Sequence, residues 1–405
     1  MNGFNTGRSQ FMRFALLGDH PDGLDLARAL IASARHTLHA YGGPQESRVR
    51  IEQLGVKPAY YRDLEDLLAD PDIEAVIIAT PIGQRPAHLR RALQSERHVL
   101  CVHPADPSPD VAYECAMIQA DTNCVLLPML PIALHPAIAR FAELTRTTSA
   151  GQVLELEIAS TEQVLLDADG VNPKASLPGW DVLRRVAGEI DAVYVQTRQS
   201  ELTKNEPILC TGKFLSGLLL RAMLLPNQNS PRWQIALVTP TGRITLAFPD
   251  GWPGPARLEY TDAEGQLQNE TWDAHSPWEP LIRRFEDASV AARNLKPHPG
   301  QIDSASFTNS PALLGWQDEL RALELDDTAR RCVVYGRVGT LDHQEATEEA
   351  SFKGTMTLVG CSLIWLTVVV LILATWQPWL AWGILPLFAV FLVMQALRWI
   401  IPSQR

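Results

Sequence analysis

Along the first 130 residues, short apolar runs alternate with amphipathic stretches. Residues 14–17 (Phe14-Ala-Leu-Leu) read as a strand that enters the turn Gly18-Asp-His-Pro-Asp-Gly23. Residues 24–34 follow with apolar positions at helical spacing. A second strand is predicted at 36–41, a helix at 46–54 and a short acidic-capped helix from Asp63. Residues 75–79 (AVIIA) form a continuous β-branched run, the pattern of a strand buried on both faces. Helices at 84–95 and 109–120 lead to strands at 98–102 and 124–127. Strands alternating with helices at this spacing predict a parallel sheet covered on both sides.

The pattern changes after Leu130. A helix at 136–144 precedes strand-like runs at 152–160, 192–196, 233–239, 243–248, 257–260 and 266–272. Helical pieces are predicted at 180–187 and 212–224, and a last helix at 312–332. Consecutive strands joined by turns such as Pro240-Thr-Gly-Arg predict a largely antiparallel sheet.

Charge divides the chain unevenly. Its 405 residues carry a formal net charge of −11, yet residues 354–405 contain Arg398 and Arg405 and no acid. The remaining 353 residues hold 33 basic against 46 acidic groups, which excludes a nucleic-acid partner because phosphate contact needs a basic face. Residues 354–397 are free of charge. The 44-residue run is about twice what one membrane span needs. The Gln377–Pro378 step divides it into expected spans 356–376 and 378–397, with Trp376, Trp379 and Trp382 at the turn. Lys353, Arg398 and Arg405 on the opposite side predict a multi-pass inner-membrane protein with both termini and the acidic body in the cytoplasm, the bilayer being one partner. The six cysteines show no C-x-x-C or metal-ligand spacing and read as reduced, buried thiols. The histidines form no metal-spaced set, so no metal is expected.

Residues 75–104, AVIIATPIGQRPAHLRRALQSERHVLCVHP, resemble the Gfo/Idh/MocA family of nicotinamide-dependent oxidoreductases. The resemblance lies in a strand ending A-T-P, a helix, and then a segment of the type K-H-V-L-C-E-K-P. The runs 135–141, 180–188 and 316–331 are similar to later helices of that family. The resemblance implies an α/β Rossmann-like domain at 1–130 and an α+β open-sheet substrate and dimerisation-type domain at 131–335. A polar connector at 336–353 and the two-helix transmembrane hairpin in 354–405 would complete the chain. It also implies NAD or NADP as cofactor, hydride transfer on a sugar or polyol hydroxyl, and pairing into a homo-oligomer.

Site residues follow position by position. The glycine-rich phosphate turn falls on Gly18, His20 and Gly23, so a histidine occupies the middle glycine position. Asp19 and Asp22 flank it, and either could cap the helix with its own carboxylate. The second strand ends in Tyr41-Gly42-Gly43 without the ribose-binding acid, and the next basic residue is Arg48. The cofactor-side segment supplies Thr80, Pro81, Arg85 and Pro104, Arg85 either meeting a phosphate or facing solvent. The family lysine is replaced by His103, whose ordinary pKa suits general acid–base work. The family's helix aspartate maps to Asp181, while its histidine partner is replaced by Pro178. These departures leave two expectations: an oxidoreductase using His103 and Asp181, or a catalytically inactive nucleotide- or sugar-binding scaffold or sensor that needs no cofactor.

Overall fold

The computed structural model describes residues 11–122, 124–148, 152–160, 177–198, 206–240, 242–252, 254–261, 265–294 and 315–341. The chain divides into two compact units, Met1–Asp342 and His343–Arg405, and every element named below belongs to the first.

Six short strands build the first sheet: β1 (Arg13–Gly18), β2 (Thr37–Gly42), β3 (Ala59–Tyr60), β4 (Ala75–Ala79), β5 (His98–Val102) and β6 (Leu126–Met129). Their order is β3-β2-β1-β4-β5-β6 and every pairing is parallel. Helices α1 (Pro21–Ser33), α2 (Gln45–Glu52), α3 (Leu64–Ala69), α4 (Arg85–Gln94) and α5 (Pro109–Thr122) make the crossovers. All five residues of β4 are buried, as a central strand with both faces covered requires. The strand order reverses between β1 and β4, and in such sheets the crevice beyond the carboxyl ends at this point is where ligands bind.

Beyond α6 (Pro136–Thr147) lies a nine-stranded mixed sheet. Its strands are β7 (Val153–Ala159), β8 (Ile190–Gln196), β9 (Ile208–Phe214), β10 (Leu219–Leu225), β11 (Arg232–Thr239), β12 (Gly242–Phe248), β13 (Ala256–Thr261), β14 (Leu267–Trp272) and β15 (Gly339–Thr340). They run in the order β14-β13-β12-β11-β7-β10-β9-β8-β15, and the β7–β10 pair alone is parallel. One face packs on α6, α7 (Trp180–Ala187) and α9 (Trp316–Tyr335) through a core that includes Phe141, Leu183, Phe214, Leu237 and Ala329. Helix α8 (Trp278–Asn294) packs on the first sheet instead, Phe285 meeting Phe14 with ring centroids 5.7 Å apart.

Two expectations are corrected. The stretch 212–224 is a β-hairpin rather than a helix: β9 and β10 pair antiparallel around a turn in which Gly217 takes φ +89°. Leucine richness hid a period of two, since Leu220, Ala222 and Leu224 point to the core while Leu219 and Arg221 are exposed. The membrane localisation is corrected to what the described residues show. Among the described residues no helix is long and apolar enough to cross a membrane. The longest, α9, has 20 residues but carries Asp318, Glu319, Arg321, Glu324, Asp326 and Asp327 along its length. The spans expected at 356–376 and 378–397 lie outside the described residues.

Candidate active site

The carboxyl ends of β1 and β4 meet at a turn too tight for a side chain at two points. A Cβ on Gly18, whose φ is +91°, would stand 2.3 Å from the Ala79 carbonyl oxygen. One on Gly23 would stand 2.3 Å from Ala79 Cβ, so α1 lies directly against β4. These are the first and third glycine roles of a dinucleotide turn. The middle position is different in kind. His20 caps α1 with its own imidazole, Nδ1 accepting from the Asp22 N–H at 3.3 Å. The expected aspartate caps are therefore not formed: the Asp19 carboxylate accepts from Ser47 Oγ at 3.1 Å instead. Burial, helped by the positive charge of Arg85, pushes the His20 pKa down to about 4, so its ring remains neutral and able to accept. Burial and then Asp25 raise Asp22 to about 6, against the pull of His103 and Arg85.

Arg85 does not face solvent. It is fully buried, with Nε donating to the Thr80 carbonyl at 3.0 Å and Nη1 donating to the Pro104 carbonyl. It thus ties the loop after β4 to the loop after β5. The Pro81 carbonyl receives the Gln84 and Arg85 N–H groups and starts α4. Thr80 is buried, and its Oγ1 has no hydrogen-bond partner within the protein. At the end of β2, Tyr41 Oη donates to the Pro44 carbonyl and Tyr60 Oη to the Gly43 carbonyl. Arg48 lies 4.9 Å above the Tyr60 ring and pairs with Glu52.

His103 follows β5 and precedes a cis peptide to Pro104. Its Nδ1 lies 2.7 Å from Glu319 Oε2 on α9, and the same carboxylate accepts the Ala105 N–H on Oε1 at 2.7 Å. The two side chains are 8% and 1% exposed. Burial alone would lower the His103 pKa, but the charge and hydrogen bond of Glu319, with Asp326 and Asp181 behind them, outweigh it and raise it to about 8. Asp181, at the start of α7, is buried and receives the backbone N–H groups of Val182 and Ala133. Burial raises its pKa, opposed first by His103. Asp326 accepts from Leu177 N at 2.9 Å and Trp180 Nε1 at 2.8 Å, holding the chain into α7.

The structure thus gathers the expected residues into two neighbouring groups: Gly18, His20, Gly23, Thr80, Pro81 and Arg85 at the β1–β4 turn, and His103, Pro104 and Asp181 beyond β5. Sequence reading missed Glu319 and Asp326. Their signal was present: two acids seven residues apart share the apolar face of α9 with Leu323, and a buried acid on a helix demands a partner. Among the described residues, His39, Asp70 and Asp72 also bring ligand atoms within 4.8 Å. Asp72 pairs there with Arg13, and Asp70 accepts from Tyr61 Oη.

The family model described as "Oxidoreductase family, NAD-binding Rossmann fold" (GFO_IDH_MocA) matches residues 15–129, the whole of the first sheet but its opening residues. Over that stretch the chain is similar to the Gfo/Idh/MocA family. A D-xylose 1-dehydrogenase (NADP(+)) of Haloferax volcanii is 27% identical over 296 residues, covering 68% of this chain and 89% of the relative. Among solved structures, GenD2 from gentamicin A biosynthesis in complex with NAD is 18% identical with a TM-score of 0.65, covering 84% of this chain and 99% of that one. The aldose-aldose oxidoreductase from Caulobacter crescentus complexed with glycerol is 16% identical with a TM-score of 0.65, covering 82% and 100%. At those identities the likeness is one of fold.

The turn has two features of the NAD-binding Rossmann fold that the matched family model describes. Gly18 and Gly23 form a cradle that a Cβ would fill, and Thr80 Oγ1 is an orphaned donor beside it. What a pyrophosphate would need, the Asp22 N–H at the start of α1, is held by His20.

Proposed function

We propose that the protein is an NAD(P)-dependent oxidoreductase that interconverts a hydroxyl and a carbonyl on a sugar or polyol, with His103 as the proton-transfer residue. One observation carries this reading: a buried histidine–carboxylate pair with Asp181 close by, set beyond β5 and next to the dinucleotide turn. Oxidising a carbinol removes a hydride from carbon and a proton from oxygen. A nicotinamide, when bound, would supply the hydride acceptor. The proton needs a base of suitable pKa, which His103 supplies where the family has lysine. Asp181, fixed by the N–H groups of Val182 and Ala133, is assigned to orient the substrate hydroxyl. Gly18, Gly23, Thr80, Pro81 and Pro104 are assigned to the cofactor, Arg85 to bracing Thr80 and Pro104 around it, and His20 to the edge of that site, where it competes for the Asp22 N–H. The division into a cofactor domain at 1–130 and a substrate domain at 131–335 belongs to the same reading. A sugar or polyol substrate is supported by the names of the Haloferax and Caulobacter relatives.

The His20 cap favours a second reading, a binding protein without turnover, because the histidine already holds the donor a phosphate would use. Calorimetric titration of NADH and NADPH into the full chain separates the two. The proposal expects saturable binding of at least one, then turnover in an aldose and polyol screen that falls about a hundredfold or more in His103→Ala. A folded chain that binds neither cofactor at millimolar concentration overturns it in favour of the second reading.

A further inference from the structure

We infer that Glu319 is the positioning residue of the site: it fixes the His103 tautomer, balances an imidazolium charge and thereby sets the pair to deliver a proton in the carbonyl-reducing direction. This inference rests on His103 being the proton-transfer residue.

The geometry leaves the carboxylate little choice. Both Glu319 oxygens are committed at 2.7 Å, one to His103 Nδ1 and one to the Ala105 N–H, on either side of Pro104. Glu319 therefore reads the ring and the backbone that carries it at the same time. An ionised carboxylate only accepts, so Nδ1 carries a proton and the proton exchanged with substrate is assigned to Nε2. A wholly buried acid with no cation beside it would be costly, and the imidazole is the partner that offsets this cost.

Among the described residues, charged groups around His103 come from four elements. Helix α9 supplies Glu319 and Asp326, α7 supplies Asp181, and α1 supplies Asp22. The positive charge on this side is Arg85 of α4, whose guanidinium is turned to the Thr80 and Pro104 carbonyls. Negative charge thus predominates, and the raised His103 pKa of about 8 agrees with it. The pair is charged at neutral pH. In reduction the substrate carbonyl carbon would take the hydride that a bound reduced nicotinamide would supply, and its π pair would move to oxygen. That oxygen takes the Nε2 proton, leaving a neutral imidazole whose Nδ1–H stays on Glu319.

The test is an NMR titration of histidine-labelled full chain, with His103 assigned by the signal missing in His103→Asn. Wild type is expected to titrate near pH 8. Glu319→Gln is expected to lower that value by about one unit or more, since it removes the charge and keeps the shape. Where turnover is measurable, reductive kcat/KM is level at neutral pH and falls above about pH 8 in wild type. In Glu319→Gln the fall moves to lower pH by the same interval as the titration. An unchanged His103 titration in Glu319→Gln overturns the inference whatever the activity. A shifted titration in a chain that binds no cofactor upholds the pairing and overturns the oxidoreductase reading instead. Should Glu319→Gln fail to fold, Glu319→Asp keeps the charge but withdraws it by one methylene. It is expected to lower kcat about tenfold or more with the cofactor Kd unchanged, and an unchanged kcat overturns the role.

Discussion

At the scale of single residues, the turn between β1 and α1 shows why one substitution in a glycine motif need not abolish a fold. Gly18 and Gly23 are demanded by backbone contacts that exist with or without a ligand. The middle position answers only to what lies outside the turn, and there His20 has become the cap of α1. Two opposite effects follow from removing it. His20→Ala loses a cap worth about 1 kcal/mol, so Tm falls. The same change releases the Asp22 N–H, so NADH or NADPH binds more tightly. Thermal unfolding and calorimetry on the one variant check both signs, and a loss of affinity together with Tm would show that the imidazole helps hold the cofactor. Gly23→Ala is expected to fail differently. Its methyl would press on Ala79 Cβ and cost about 1–3 kcal/mol, read as a lower denaturation midpoint.

At the scale of elements, α9 is a strut that joins the two halves of the site. Glu319 fixes the loop after β5, and two helical turns on, Asp326 fixes the chain entering α7 through Leu177 and Trp180. Asp326→Ala leaves both buried N–H groups without their acceptor, a loss of about 1–3 kcal/mol for each. We expect a marked fall in Tm, with His103 still titrating on the alkaline side because Glu319 remains. Differential scanning calorimetry and the His103 NMR signal separate these outcomes. The elements also show what the chain reveals by itself. The β–α alternation up to Met129 was legible because each strand is a short apolar run closed by a turn. The candidate residues near the β4 and β5 ends were legible from the run Ala75 to Pro104. The hairpin of β9 and β10 was not, since leucines on both faces mask a period of two. Glu319 and Asp326 were legible only as acids on an apolar helix face; their partners lie 216 and 146 residues away along the chain, a separation that only the tertiary fold closes. The burial of Arg85 was not legible for the same reason: its acceptors are main-chain carbonyls, which no side-chain motif announces.

At the scale of the whole molecule, three of the perturbed histidines fall into two kinds, and pH tells them apart. His20 and His135 each cap a helix through Nδ1 and are pushed down to about 4, His20 by burial and Arg85, His135 by burial and His275. Both are neutral in the folded state. Their contribution is therefore whole above the unfolded value near 6.5 and drains away as pH falls through 4. Asp22, raised to about 6, works the other way over that window and offsets part of one histidine. His103 is raised to about 8, so what it adds is whole below 6.5 and is lost as pH rises through 8. These groups together place the maximum of stability near pH 6.5, with limbs of separate origin. His135→Asn keeps a cap acceptor that does not titrate, and should flatten the acid limb while leaving the alkaline one. Glu319→Gln lets the His103 value fall back, and should remove the alkaline limb while leaving the acid one. Thermal unfolding of wild type and both variants between pH 4 and 9 decides the matter. Curves displaced in parallel, with both limbs intact, would mean that other groups carry the pH dependence. An exchange of limbs between the variants would mean that the two kinds of histidine have been assigned the wrong way round.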